Sequence, residues 1–433
     1  MDFGLGRTYN WVFHVAYVMT PILGFDYFAA CKFNINVHNA SVTDKHTNVS
    51  IRDNATVIKN VSYISSVLPS SSYLQLLNEF PALLSEKPIH PPKHNIVHRI
   101  CTTGGPVYCT PRCLIPHISA SIKPAFAKLL ADGIISVSCS PWCCPLHCVP
   151  KKDDSWRPTA DYSPLNNLTI LDTYPLPHLQ SFTDQLHNKT IFSKIDLKDA
   201  FLQIPVHPDD IAKTTITTPF GAFQYHYMSF GLSGASQLFQ QLIDTALQDI
   251  KIRLPNGHEK DISVFAYIND ILLASSSHEN HFLELGAVFQ CLTDYGLRIS
   301  PIKCEFGACS MEFLRHLIDE NGIASLPEKV AAMRSYETPT TAKELRRYLG
   351  MINFYRRFLP RSAETLQPLY DLIKNLNSLP KNTKISWSNE QLQAFEKSKS
   401  DLADASNLAY PALNEPLYLA ADASDTAVAA VLY

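Results

Sequence analysis

Two short stretches of this chain place acidic and amide side chains where they can converge on a ligand. In TIFSKIDLKDAFLQI, residues 190–204, an alternating apolar strand changes character at Asp196, and an aspartate at a strand end is open to a neighbouring element. In SVFAYINDILLAS, residues 263–275, two apolar runs flank Asn269 and Asp270, the pattern of a β-hairpin with a two-residue polar tip. Carboxylates brought together by two such elements repel unless a cation neutralises them, and Mg²⁺ is the natural partner of hard oxygen ligands. Two Mg²⁺ held close together activate a hydroxyl on one side and stabilise a leaving pyrophosphate on the other, which is nucleotidyl transfer. Aspartates at turns also serve simply as turn formers, and the spacing alone satisfies both readings.

The elements that must position these residues are partly legible. A helix is predicted over about 119–132, with Gly133 as its stop, and the polar stretch 43–72 predicts weak strands joined by loops. Residues 88–110 read as an extended linker. Thr341 and Glu344 form a capping box ahead of LRRYLGMINFYRRFL. That run is predicted to be helical, so Arg346 and Arg357 share a face within roughly 20° and lie about 16 Å apart, a spacing that suits a phosphate backbone or a plain solvated face. Cys139, Cys143, Cys144 and Cys148 match no zinc spacing and alternate with apolar residues, so buried strand cysteines are expected. His90, His94 and His98 recur every four residues, but Pro91 and Pro92 break any helix that would align them.

With 433 residues, 46% hydrophobic and 18% charged, the chain has room for two to four domains with real cores. Its net charge of -3 gives no global basic signature, so contact with nucleic acid must come from local patches. Eleven cysteines are too few for a disulfide scaffold of this length, which predicts a reducing, intracellular compartment, cytoplasmic or nuclear, and not a secreted protein. The apolar stretch from Trp11 to Phe28 is too short to span a bilayer and is interrupted by His14, Pro21, Gly24 and Asp26, so no membrane insertion is expected.

Five segments in order carry a resemblance: IFSKIDLKDAFLQIPV, TTPFGAFQYHYMSFGLSGASQLFQ, FAYINDILLAS, GLRISPIKCEFG and TAKELRRYLGMINFYRRFLP. They resemble the reverse transcriptases of gypsy-type LTR retrotransposons and, more distantly, of retroviruses, from about residue 93 to 433. The resemblance implies an α/β (α+β) right-hand polymerase fold, with fingers and palm over 93–320 and a thumb and connection over 321–385. It also implies an incomplete RNase H-like segment over 386–433, a β-rich retropepsin remnant over 1–55 carrying TPILGFDYF, and a linker over 56–92.

By the same resemblance, Asp196 matches the first metal-binding aspartate, and the paired catalytic aspartates of the family fall on Asn269 and Asp270. Asp196 and Asp270 would hold Mg²⁺, or Mn²⁺ in its place. Lys151 and Arg157 match residues that hold the triphosphate, suited to a point charge and a guanidinium fork. Phe201 matches the bulky residue under the incoming sugar, while Gln203, Phe230 and Gly231 lie in motifs lining the nucleotide and template pocket. Asp422 matches the first metal ligand of RNase H. The implied partners are an RNA template, a DNA primer strand and deoxynucleoside triphosphates; the sequence does not fix an oligomeric state.

Four positions depart from the family pattern. Asn269 replaces the first aspartate of the YxDD turn, Arg315 stands where the primer-grip motif has glycine, Ser229 replaces a proline, and Ser163 replaces an arginine. A polar stretch over 253–261 is inserted before the catalytic hairpin. Losing one full charge beside a divalent ion costs several kcal/mol even at an effective dielectric of about 20, so a rate loss of roughly a thousandfold or more is expected. The alternative is a noncatalytic nucleic-acid-binding relic of a degenerate element.

Overall fold

The computed structural model describes residues 33–36, 41–44, 50–52, 72–85, 92–150, 156–178, 182–248, 250–253, 259–359, 361–376, 383–403, 408–410, 419–423 and 428–432. Lys151, His90 and the TPILGFDYF segment lie outside the described residues. The chain divides into two compact units, Met1–Ile64 and Ser65–Tyr433. In the first, Phe33–Asn36, Ser41–Asp44 and Ser50–Arg52 form a three-stranded antiparallel sheet in that order.

The second unit is built around a four-stranded antiparallel sheet. Its order is Ser263–Tyr267, Asp270–Ser275, Ile191–Asp196, then Glu305–Ala308. Side chains alternate across a pleated sheet, so each strand feeds two cores. Ile195, Ile271 and Leu273 enter one cluster with Phe239, Leu242, Leu285 and Phe289, which come from the helices Ala235–Leu247 and His278–Asp294. Phe192, Leu272 and Ala274 enter the other, with Met311, Phe313 and Tyr348. Along this second face the pairs run from Phe192 and Ala274, through Lys194 and Leu272, to Asp196 and Asp270. The face is apolar at one end and acidic at the other.

Beside the first cluster lies a five-stranded sheet in the order Ile135–Val137, Gly221–Tyr225, Ile216–Thr218, Cys144–Pro150, Trp156–Ala160. Its covering helix runs Pro116–Ala131, starting earlier than the sequence predicts because Pro116 supplies a preset first-turn φ, and Gly133 at φ +69° follows its end. Phe126 of that helix packs against Phe220 and Phe223, with centroids 5.3 and 5.2 Å away.

The second cluster joins a three-stranded meander, Ser310–Phe313, His316–Asp319 and Gly322–Ser325, to the helices Pro327–Arg334, Ala342–Phe354, Ser362–Leu376 and Asn389–Ala403. Tyr348 sits at its centre, hydrogen-bonded to the Ser398 hydroxyl at 2.6 Å and packed at a 53° tilt against the Phe395 ring, with centroids 4.6 Å apart. The helix Ala342–Phe354 opens with the predicted capping box, Thr341 accepting from the Glu344 amide and Glu344 reaching back. It stops at Phe354, and a tight 3₁₀ turn, Arg356–Phe358, follows. The expectation that Arg346 and Arg357 share one helical face is therefore corrected. Phe354, Tyr355 and Phe358 instead gather around buried His316, and Arg357 lies half-buried over the Phe358 ring at 5.0 Å. At the C-terminal end Leu419–Ala423 pairs with Val428–Leu432, placing Asp422 opposite Ala429. Among the described residues no helix is long and apolar enough to cross a membrane.

Candidate active site

Asp196 and Asp270 are direct cross-strand partners at the acidic end of the central sheet. Opposed residues of an antiparallel pair have Cβ atoms about 4.5–5.5 Å apart, so the two carboxylates share one small volume. The hairpin differs by one residue from its predicted form: Tyr267 pairs with Asp270, so the tip is Ile268–Asn269 and Asp270 opens the returning strand. The reason is pairing: Asp270 is held in register by Tyr267 on one side and Asp196 on the other.

Burial raises the Asp196 carboxyl pKa above its ordinary value; the nearby charge of Asp270 pushes the same way, and Lys303 opposes both. The Lys303 ammonium lies 3.2 Å from Asp196 Oδ1, and that of Lys194 lies 3.6 Å from Asp270 Oδ1. Neither lysine was singled out from the sequence. Lys194 was findable, because two residues before Asp196 on one strand means the same face. Lys303 arrives from 107 residues away and carries no local signal.

Next to the acid pair is a cleft of about 480 Å³, reached through its chain neighbours Leu197 and Asn269 and through Lys303 rather than by Asp196 or Asp270 themselves, with Trp156, Arg157, Phe201, Phe230 and Arg298 among its other walls. Arg157 lies over the Phe230 ring at 5.6 Å, Phe230 meets Phe201 edge-on at 5.2 Å, and Phe201 meets Phe239 at 5.9 Å. This row ties the five-stranded sheet to the helix Ala235–Leu247, which carries Phe239. Gly231 at φ +91° follows Phe230, and a Cβ there would lie 3.2 Å from the Ala160 carbonyl oxygen.

Gln203 faces inward. Its side-chain nitrogen donates to the Lys198 and Arg298 carbonyls at 2.7 and 3.2 Å, and its oxygen accepts from the Arg298 amide at 2.8 Å. It braces the 3₁₀ turn Ala200–Gln203 that presents Phe201. Of the other departures, Ser229 is buried, and the Ser163 hydroxyl and amide donate to Asp161 Oδ1 at 2.7 and 3.3 Å, while Asp161 is also ion-paired with Arg112. Arg315 is exposed in a tight turn at φ +66°. Cys143 and Cys144 are buried, with the Cys144 thiol pushed up to about 12 mainly by burial, while Cys139 is exposed. His94 and His98 are both buried, and His94 Nε2 is 3.0 Å from the Gln203 carbonyl.

Residues 149–352 match the family model of reverse transcriptase (RNA-dependent DNA polymerase). They are a reverse transcriptase domain. Residues 387–433 of the same chain match the RNase H-like domain found in reverse transcriptase. The chain is 32% identical over 340 residues to the retrovirus-related Pol polyprotein from transposon opus of Drosophila melanogaster, covering 76% of this chain and 33% of that one. It is 34% identical over 303 residues to the transposon Tf2-3 polyprotein of Schizosaccharomyces pombe, covering 70% and 22%. This chain thus spans a third or less of the length of these relatives. Its fold matches the foamy viral protease-reverse transcriptase in complex with dsDNA at a TM-score of 0.72 and 25% identity, covering 83% of this chain and 73% of that one. The same viral protein in complex with an RNA/DNA hybrid gives 0.69 at 24% identity, with coverages of 83% and 49%. The right-hand polymerase architecture expected from the sequence is therefore present.

The donor set at the acid pair suits a divalent cation: two opposed carboxylates, one buried, whose mutual repulsion is offset by two lysines. Among the described residues no group of three or more His, Cys, Asp or Glu side chains converges. Asn269 adds an amide but no charge.

Proposed function

We propose that this chain is the reverse transcriptase part of a gypsy-type LTR retrotransposon Pol polyprotein, with template-directed nucleotidyl transfer weakened by Asn269. The observation that carries it is the acid pair, Asp196 opposite Asp270, at the edge of a cleft walled by Arg157, Phe201 and Phe230. Asp196 and Asp270 would hold Mg²⁺, or Mn²⁺, which when bound lowers the pKa of the attacking hydroxyl and offsets charge on the leaving pyrophosphate. Arg157 offers its guanidinium to the triphosphate together with Lys151, and the Phe201 ring limits the space beneath the sugar. Gln203 acts indirectly, by fixing the turn that carries Phe201. The substrates are deoxynucleoside triphosphates, an RNA template and a DNA primer, and the setting is intracellular. We read residues 1–55 as a retropepsin remnant, and Asp422 as part of an RNase H-like segment.

A second reading, a noncatalytic nucleic-acid-binding relic, is favoured by Asn269 and Arg315 together. Primer extension on an RNA template separates the two. Slow, Mg²⁺-dependent extension by the parent, accelerated by Asn269→Asp, supports the polymerase; hybrid binding with no extension by either protein supports the relic.

A further inference from the structure

The tip of the catalytic hairpin holds a conformational oddity. Ile268 has φ +55°, a region that β-branched residues avoid and that persists only where the surroundings over-determine it. Its amide donates to Gln240 Oε1 at 2.7 Å. Gln240 is fully buried in the helix Ala235–Leu247, and its Nε2 donates to the Ala266 carbonyl at 3.0 Å and to Asp244 Oδ1 at 2.8 Å. A flipped amide would set a donor against the Ile268 N–H and lose all three bonds, so the orientation is fixed by its partners. Asp244 Oδ2 in turn accepts from the Tyr174 hydroxyl at 2.7 Å. That hydrogen bond pushes the phenol up to about 12, which keeps it a donor at neutral pH. Tyr174 and Asp244 line a surface groove of about 450 Å³.

We propose that Gln240 is a positioning residue for the catalytic turn, with Asp244 and Tyr174 as the outer links of a brace running from the surface to the Ile268 amide. The inference rests on the polymerase reading for its consequence, though not for its geometry. Asn269 and Asp270 follow Ile268 directly, and the Asn269 carbonyl accepts from the Leu197 amide at 2.9 Å. The turn is thereby gripped on both sides: by Gln240 before Asn269 and by the strand of Asp196 after it. Without Gln240, the unfavourable φ at Ile268 has nothing on the helix side to hold it, and Asp270 loses its fixed bearing on Asp196.

Site-resolved hydrogen exchange on the full chain tests this without requiring activity. Gln240→Met should speed exchange of the Ile268 amide by roughly a hundredfold while the Phe192 and Leu273 amides of the neighbouring strands stay protected. Tyr174→Phe, which removes only the outermost link, should give a smaller rise. Asp244→Asn can keep an oxygen toward Gln240 Nε2 and turn its amide nitrogen toward the Tyr174 oxygen, so it should leave the Ile268 amide close to parental protection. An Ile268 amide that stays protected in Gln240→Met, or an Asp244→Asn variant as unprotected as Gln240→Met, overturns the proposal. Should Gln240→Met fail to fold, the Tyr174→Phe rise and the protection of Asp244→Asn decide it in the same way. If the exchange pattern appears as described but Asn269→Asp incorporates no nucleotide even with Arg315→Gly, the brace stands and the polymerase reading falls.

Discussion

Two tight hairpins of this domain, Tyr267–Asp270 and Phe313–His316, answer the same backbone problem in different ways. Each closes antiparallel strands through two residues, Ile268–Asn269 in one and Leu314–Arg315 in the other. In the first, the single positive φ at Ile268 is held by a buried glutamine and a neighbouring strand. In the second, both Leu314 at +47° and Arg315 at +66° adopt the left-handed region, and the nearest support is His316 Nδ1, 2.9 Å from the Leu314 carbonyl. By the resemblance read from the sequence, the first turn carries Asn269 for an aspartate and the second Arg315 for a glycine. The second also keeps a fold that its side chains disfavour.

That contrast makes the two faults different in kind, so their repairs should couple. Asn269→Asp returns the charge, but Arg315 still puts a long cationic side chain where the family has none, and displacing a reacting atom by about 1 Å costs roughly a hundredfold. Single-nucleotide incorporation by Asn269→Asp with Arg315→Gly should therefore exceed the product of the two single effects. Full recovery in Asn269→Asp alone would show that Arg315 is harmless.

Nucleic-acid binding should distinguish exposed from buried arginines. Affinity for an RNA–DNA hybrid should fall linearly with log salt, by roughly tenfold or more between about 50 and 200 mM. Arg157→Ala should flatten that slope. Arg357→Ala should not, because its guanidinium is half-buried over Phe358 and burial lowers its pKa. An equal effect from both would contradict the placement of Arg357.

On stability the second hairpin should gain most from repair. Arg315→Gly removes a side chain from the left-handed region and should stabilise the fold by about 1 kcal/mol in urea unfolding. Ile268→Gly should gain less, because Ile268 also packs against the first core and that contact is lost with its side chain, whereas Arg315 is exposed.

The smallest difference is one of pH. Burial holds His316 down to about 4, with the charge of Arg357 adding to it, and His98 and His281 are also near 4 through burial. A folded pKa below the unfolded value means the stability is present above about 6.5 and is lost as pH falls toward 4. Asp196 has the opposite sign: its raised carboxyl pKa gives stability that is lost as pH rises. Unfolding midpoints should thus drop from pH 7 to pH 5, and drop less in His316→Gln.

Much of this was legible because the decisive contacts are local. The period-two pattern ending at Asp196 and the capping box of Thr341 and Glu344 involve neighbours in sequence, and both appear in the structure. The tip of the catalytic hairpin moved by one residue because cross-strand pairing, not polarity, set the turn. Arg357 left its expected face because three aromatic residues turn the chain around His316, a partner about forty residues earlier. The inward Gln203 depends on Arg298, and the ion pair of Asp196 depends on Lys303, both distant in sequence. No pattern of spacing announces such contacts.

The central claim, a two-carboxylate site one charge short, is tested most directly by titrating Mn²⁺ into the parent, Asn269→Asp, and Asn269→Asp with Asp196→Asn, following bound ion by electron paramagnetic resonance. Asn269→Asp should bind the ion about a hundredfold more tightly than the parent, since a carboxylate beside a divalent charge contributes several kcal/mol. Adding Asp196→Asn should abolish that gain. Equal affinity in the parent and Asn269→Asp, or tight binding that survives Asp196→Asn, would contradict it.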